Sequence, residues 1–359
     1  MGCQCCRNYS ELHAGEHPAN ERTTTATFDK VPVACLEPLA LVWRASSLVG
    51  AWSLPRRARR PGLSPLSPAV TNAYTAGAVA VCLKAPVKLS GPGGLVLMAG
   101  QGKTDGALIG NPYVTSIAGE VIVDIEAFGN AASTTGTISG VLVVGVQSLV
   151  IGPNARIHDV TRHGAMSRPN PSQAGMADIS FFVSPGSKVW NCGGIGLQGT
   201  RVKNFIAITP RVKNCVDNCI DVYGNDSAGG SSNGFVGYIG IDDSKIDGGA
   251  CGIFIESATN WHIKNPAISN CPGGIKLSRI NSGALCGQIL GGFVTGKEDG
   301  ASNYGVSFSN NCGCAFIEGV TFDHLLDSVT CGAGTDRVRI GRNNYRRIGR
   351  YIVVSYRDC

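Results

Sequence analysis

The sequence lacks long apolar runs, and it has few charged and few aromatic residues. Charged side chains make up 16% of the 359 residues and aromatic side chains 7%. No run of about 18 apolar residues occurs, so the sequence predicts no membrane-spanning helix. Apolar residues at helical spacing do not extend over any window of roughly ten residues, so no long amphipathic helix is predicted either. These absences favour a β-rich chain.

Two functional motifs are also missing. Gly100-Gln101-Gly102-Lys103-Thr104 resembles the end of a phosphate-binding loop, but Leu97 stands where that loop needs a glycine. The residues that follow predict a turn and a strand rather than a helix, so we expect no nucleotide site. A secretory signal would place positive charge before an unbroken apolar run. Here the arginines at 56–60 follow an interrupted apolar patch.

Glycine is abundant, with 49 residues. A short sequence motif also recurs with variation. In this motif Asn-Cys is followed a few residues later by Gly-Ile-x-Leu or a similar run. Its copies are Asn191-Cys192 with Ile195-Gly196-Leu197, Asn214-Cys215 with Ile220-Asp221-Val222, Cys251-Gly252-Ile253, and Asn270-Cys271 with Ile275-Lys276-Leu277. A second series of isoleucines recurs at about the same period, at Ile239, Ile263, Ile289, Ile317 and Ile340.

Self-similarity at a period of roughly 20 to 50 residues indicates stacked units that bury their apolar faces against each other. Each unit consists of short alternating runs separated by Gly, Asn and Asp, which are typical of strands and turns. The sequence therefore predicts an all-β parallel β-helix over residues 75–359, preceded by a less regular arm or attachment segment, 1–74. An antiparallel sandwich is the alternative, but it requires no fixed period.

The 15 cysteines fit neither a zinc module nor a small secreted scaffold. Cys192, Cys215, Cys251 and Cys271 fall at similar phases of successive units, so we predict a ladder of small, inward, apolar side chains. We predict no metal site and no cofactor. Free thiols favour assembly in a reducing compartment.

Outward positions of the repeat carry the candidate site. Because side chains alternate between the two faces of a strand, inward Ile220 and Val222 place Asp221 outward. The same phase places Glu256 outward one unit later, roughly 8 Å away diagonally if neighbouring strands lie about 4.8 Å apart. That separation falls within the range of inverting glycosidases, which must fit a water between one carboxyl group and the sugar. We predict Asp221 and Glu256 as catalytic, with the substrate-binding residues Gln198, Tyr223, Phe254 and Lys276.

Secondary candidates lie elsewhere. Residues 156–175 contain His158 and His163 together with prolines, and we predict an excursion from the scaffold that covers one side of it or carries function. Asp242 and Asp243 are alternative acids, although such pairs usually cap turns. A further Gly/Ser/Asp loop is predicted at 225–233, directly after the Asp221 strand.

The stacked Asn-Cys-x-x-Gly-Ile-x-Leu units resemble the pectate-lyase-like right-handed β-helix superfamily, which includes viral tailspikes and polysaccharide depolymerases. The resemblance covers about residues 77–356. Asp217-Asn218-Cys219-Ile220 is similar to the Asp-Asp-Cys-Ile stretch of polygalacturonases, but Asn218 replaces the second acid. Their Gly-His-Gly and Arg-Ile-Lys motifs are absent, so the resemblance implies the fold more firmly than pectinase chemistry.

The resemblance implies a protein that engages a surface polysaccharide, as a hydrolase or a lyase; the alternative is a non-catalytic structural or receptor-binding component. It further implies a homotrimer or a larger virion assembly, located on a virion surface or outside the cell after assembly in the cytoplasm. The formal charge of +6 permits an acidic polymer as partner. No nucleic acid partner is predicted.

Overall fold

The computed structural model describes residues 24–27, 41–45, 79–97, 106–111, 116–134, 136–170, 177–224, 236–279, 287–297, 304–309 and 312–354. Its strands stack as successive coils, and each coil contributes to three parallel sheets. Four long strands bend through a corner and belong to two sheets. The predicted parallel β-helix fold is confirmed, and with it the fold that the resemblance implied.

Sheet 1 contains Val79–Cys82, Gly106–Gly110, Ile138–Val144, Ala165–Arg168, Leu197–Thr200, Ile220–Tyr223, Cys251–Glu256, Gly273–Ser278, Tyr304–Ser309 and the later parts of Thr321–Cys331 and Asn344–Val354. Sheet 2 contains Thr24–Thr27, the earlier parts of Val87–Leu97 and Ile117–Phe128, then Val146–Ile151, Ala177–Val183, Val202–Ile208, Val236–Asp242, Ala258–Lys264, Gly287–Leu290, Gly313–Glu318 and Asp336–Ile340.

Sheet 3 contains the later parts of Val87–Leu97 and Ile117–Phe128, then Arg156–Val160, Lys188–Cys192, Arg211–Cys215, Lys245–Asp247, Ala267–Ser269, Phe293–Thr295 and the earlier parts of Thr321–Cys331 and Asn344–Val354. Leu41–Ala45 pairs antiparallel with the first of these strands. A 3-10 turn, Ala131–Ser133, is the one helical element in the described ranges, and no helix there could span a membrane.

The corners explain the recurring asparagine. Asn191, Asn214 and Asn270 have φ angles of 53°, 51° and 56°, in the left-handed region that asparagine tolerates better than most residues. Asn191 and Asn214 sit at the end of sheet 3 in adjacent coils, and the Asn214 amide donates to Asn191 Oδ1 at 3.1 Å. Asn270 sits at the same end two coils after Asn214. Each Asn-Cys pair therefore turns the chain and then returns a small side chain to the core.

The interior consists of stacked apolar columns. Ile241, Ile263, Ile289, Ile317 and Ile340 occupy one column of sheet 2. The isoleucine series in the sequence began at Ile239, which instead pairs with Trp261. The prediction was two residues off in that coil because both isoleucines of Ile239-Gly240-Ile241 point inward and are fully buried.

The predicted cysteine ladder is buried, but its members do not all share one position. Cys192 and Cys215 are register partners at the end of sheet 3, and Cys271 lies buried in the same core. Cys251 instead opens a strand of sheet 1. All four thiols are free, and burial raises the pKa of Cys251 to about 12.

The predicted excursion at residues 156–175 is wrong over most of its length. Arg156–Val160 and Ala165–Arg168 are regular strands of sheets 3 and 1. Polar residues there are outward positions of the coil, alternating with buried Ile157 and Val160. Residues 171–176, and the predicted loop at 225–233, lie outside the described residues.

Gly287 gives a test of the packing. A Cβ at this position would lie 1.8 Å from Trp261 Cε2, and the Trp261 side chain is 1% exposed. Gly287→Ala should therefore lower the free energy of unfolding by about 1 to 3 kcal/mol or more, as overpacked cores do. Gly341→Ala is the control, because its Cβ would meet only contacts of 3.4 Å. Equal denaturant midpoints for the two variants would contradict this packing.

Candidate active site on sheet 1

The outer face of sheet 1 carries two columns of side chains. The phase of the repeat predicted Gln198 in the column of Tyr223, but its register partner is Asp221, so the prediction was two residues off in that coil. The strand registers place Gln198, Asp221, Phe254, Lys276 and Ser307 in one column. The second column contains Thr200, Tyr223, Glu256, Ser278 and Ser309. Asp221 and Glu256 are therefore diagonal neighbours on adjacent coils, which corresponds to about 8 Å in a regular sheet.

Asp221 is held in a nearly dry environment, with 6% of its surface exposed. Asn218 donates from Nδ2 to Asp221 Oδ2 at 2.9 Å. Burial is the main cause that raises the pKa of Asp221 to about 7, with the charges of Asp217 and Glu256 adding to the rise. The asparagine that replaces the second acid of the polygalacturonase-like stretch thus orients Asp221.

Glu256 is less buried and faces two cations. Its Oε1 lies 3.3 Å from Arg279 Nη1. Burial raises the pKa of Glu256, whereas the charges of Arg279 and Lys276 lower it. Lys276 Nζ lies 5.2 Å from the centre of the Phe254 ring. The face therefore combines one carboxyl that tends to hold its proton with one carboxylate beside cations.

Three buried polar atoms around Asp221 have no hydrogen-bond partner among the described residues. They are Oδ1 of Asp221, Oε1 of Gln198 and Oγ1 of Thr200, which lie on two adjacent coils of the same face. Buried polar atoms are nearly always paired, so such a group points to water or a ligand at this position. Sequence reasoning found Gln198 but missed Thr200, which shares the outward phase.

Arg279 was also missed, although the sequence contains a signal for it. It stands at the corner that follows sheet 1, with a φ of 50°, and Arg201 and Ser257 occupy the equivalent corner after earlier strands. Ser278 is the register partner of Glu256, so the next residue, Arg279, could have been placed near Glu256 from the sequence.

The alternative acids lie on another face. Asp242 belongs to the outer face of sheet 2, where its Oδ1 is 3.0 Å from His262 Nε2. The other ring nitrogen of His262 is 3.0 Å from the Tyr238 hydroxyl. Asp243 adopts a left-handed corner conformation, and Asn265 donates to its carboxylate at 3.1 Å. Asp243 therefore caps a corner, as acids in turns usually do.

The two predicted histidines are not brought together as one site. His158 lies on the outer face of sheet 3, 2.6 Å from Asp159 Oδ2 and 3.1 Å from Glu126 Oε1. Its ring stacks on Trp190 at 4.0 Å. His163 lies in the next corner, where its Nδ1 accepts from the Ile195 amide. Within the described ranges, no three His, Cys, Asp or Glu side chains are arranged to share a metal ion.

Comparisons with known proteins add little to this description. No protein-family profile matches the chain. Among solved structures, the chain is similar to the A-module of a mannuronan C-5 epimerase of Azotobacter vinelandii. The identity is 15%, the similarity covers 77% of this chain and 85% of that chain, and the TM-score is 0.39.

The raised pKa of Asp221 predicts a specific pH dependence of stability. Between about pH 4 and 7 the folded chain retains a proton that the unfolded chain releases, so the free energy of unfolding falls as the pH rises and levels off above pH 7. A shift to about 7 corresponds to a fall of up to about 4 kcal/mol.

Asp221→Asn removes the titrating group and keeps its shape, so this variant should lose most of that fall. Urea unfolding at acidic and mildly alkaline pH measures the difference. Asp217→Asn removes only one of the charges that add to the rise, and it should keep most of the pH dependence of the parent protein. The same pH dependence in the parent and in Asp221→Asn would contradict the raised pKa.

Proposed function

We propose that this protein binds and cleaves a polysaccharide on the outer face of sheet 1, as a glycoside hydrolase. The observation that carries the proposal is Asp221, a buried carboxyl whose pKa is raised to about 7, one coil from Glu256. Two carboxyl groups in unlike environments are the usual means of supplying an acid and a base at one site.

In this mechanism Asp221 is the general acid. Its protonated carboxyl donates to the glycosidic oxygen as the bond to the anomeric carbon breaks. Glu256 is assigned as the general base. Burial raises its pKa above the usual value, and the charges of Arg279 and Lys276 limit that rise. Glu256 removes a proton from the water that attacks the anomeric carbon from the other side. The separation of about 8 Å leaves space for this water and predicts inversion at the anomeric carbon.

The remaining residues of the face bind the polymer. Phe254 offers an aromatic surface, and Lys276, in the same column on the next coil, places a positive charge over the Phe254 ring. The unpaired oxygens of Gln198 and Thr200 can accept hydrogen bonds from sugar hydroxyls. Tyr223 is half-buried opposite Glu256 and completes the second column.

The second candidate function is non-catalytic binding by a structural or receptor-binding component. The observation that favours it is the limited access of a substrate to the two acids. Asp221 is 6% exposed, and Glu256 already has Arg279 as a partner. In this reading both acids belong to the packing of the sheet. The hydrolase and the binder differ in one measurable property, the release of new reducing ends.

Cleavage can be tested with a panel of capsular and lipopolysaccharide glycans, by measuring reducing ends. Asp221→Asn and Glu256→Gln should each lower the rate by about 100-fold or more, as expected for loss of a general acid or base. The parent rate should fall as the pH rises through about 7, because Asp221 must be protonated. Asp243→Asn is the control. No cleavage by the parent across the panel would favour the binder.

We also propose that the protein assembles as a homotrimer at a virion surface. The last described coil exposes 61% of Tyr351 and 50% of Ile352, which are apolar groups that an assembly would cover. Light scattering should give a mass of three chains. A monodisperse monomer would contradict the assembly without affecting the proposed cleavage.

A further inference from the structure

Sheet 3 carries a straight column of cations on its outer face. Arg156, Lys188, Arg211 and Lys245 are register partners on four successive coils. Neighbouring coils are about 4.8 Å apart, so the four charges span roughly 14 Å. The column continues through Ala267 to Phe293, whose ring is 45% exposed.

This column does not stabilise the fold. Like charges directly opposite each other on neighbouring strands repel. Within the described part of the chain, none of the four cations forms an ion pair. Packing does not require a cation at an outward position of a sheet, because many polar residues fit there. Four successive cations therefore need another explanation.

Glu126 begins the same column as the register partner of Arg156, but the carboxylates of this face are already engaged with other groups. Asp247 is held by Lys213 at 3.0 Å and by Asn270 at 2.7 Å, and these contacts help to lower the pKa of Asp247. Glu126 and Asp159 both contact His158. The face therefore has a positive potential that an anion from outside would neutralise.

Three of the four cations, Lys188, Arg211 and Lys245, line an open groove, and Arg156 lies one coil beyond its lining residues. The groove has a volume of about 840 Å³, and Trp190 and Phe293 form part of its wall. Trp190 is fixed by stacking on His158 with an interplanar angle of 6°. Because the rings and the backbone positions of the cations are set by the coils, little ordering is needed when a ligand binds.

We propose that this groove binds a linear anionic polysaccharide lengthwise along sheet 3. Carboxylate or sulfate groups on successive sugars would contact the column from Arg156 to Lys245, and a sugar face would rest on Phe293. The inference deepens the proposed function by naming an acidic glycan, and it concerns a surface separate from Asp221. A single-stranded nucleic acid fits less well, because Trp190 and Phe293 lie four coils or about 19 Å apart and successive bases would lack stacking surfaces.

Binding can be measured by calorimetry with polygalacturonate fragments and with dextran sulfate, which separate carboxylate from sulfate recognition. Neutral dextran and an oligodeoxythymidylate are the comparison ligands. The test variant is Arg211→Gln with Lys245→Gln. The control is Lys203→Gln with Lys264→Gln, which removes two exposed cations from sheet 2 and changes the net charge equally.

The test variant should bind the anionic glycan at least about tenfold more weakly, and the control should stay within about twofold of the parent. Binding should also weaken with added salt. Asp221→Asn should bind this groove like the parent. If the parent binds an anionic glycan here but cleaves none of the glycans tested, only the hydrolase is overturned. Equal binding by the test and control variants, no binding of either anionic glycan by the parent, or tighter binding of the oligonucleotide would overturn the groove proposal.

Discussion

Parallel stacking of coils in register is the constraint on which the structure depends. Each strand bonds through its backbone to the strands of the coils before and after it, at a spacing of about 4.8 Å. A side chain therefore has the equivalent side chain of the next coil as its nearest neighbour. Residues must be compatible with their own column, which explains the inward isoleucines of sheet 2 and the asparagines at the corners.

The same constraint makes incompatible columns informative. In the last two coils that the structure describes, Arg347 pairs with Asp323 and Arg350 with Asp327. Opposite charges on adjacent coils stabilise the stacking there. The cation column of sheet 3 does the opposite. Asp221 on sheet 1 likewise loses hydration without gaining a cation at close range. At the cation column and at Asp221, the electrostatic interactions within the stack are unfavourable. A bound ligand would offset the charge repulsion at the first and the loss of hydration at the second.

The three outer faces present three kinds of chemistry on one scaffold. Sheet 1 holds the acids Asp221 and Glu256, sheet 2 holds the Tyr238–His262–Asp242 chain of hydrogen bonds, and sheet 3 holds the cations and stacked rings. Because each face extends over many coils, an elongated ligand suits it better than a compact one. A polymer bound on sheet 3 and one cleaved on sheet 1 would occupy different sides of the same coils.

The sequence by itself determined the period, the inward and outward alternation, and hence the two columns that contain Asp221 and Glu256. These follow from short-range rules: side chains alternate along a strand, and the repeat fixes the phase. Only the tertiary structure decided that residues 156–168 form a regular coil, that Ile241 and not Ile239 heads its column, and that Lys188 and Arg211 line up with Arg156 and Lys245. The reason is that register depends on the length of each corner, which varies between coils. Burial of Asp221, and with it the raised pKa, depends on atoms distant in the chain, which no local pattern records.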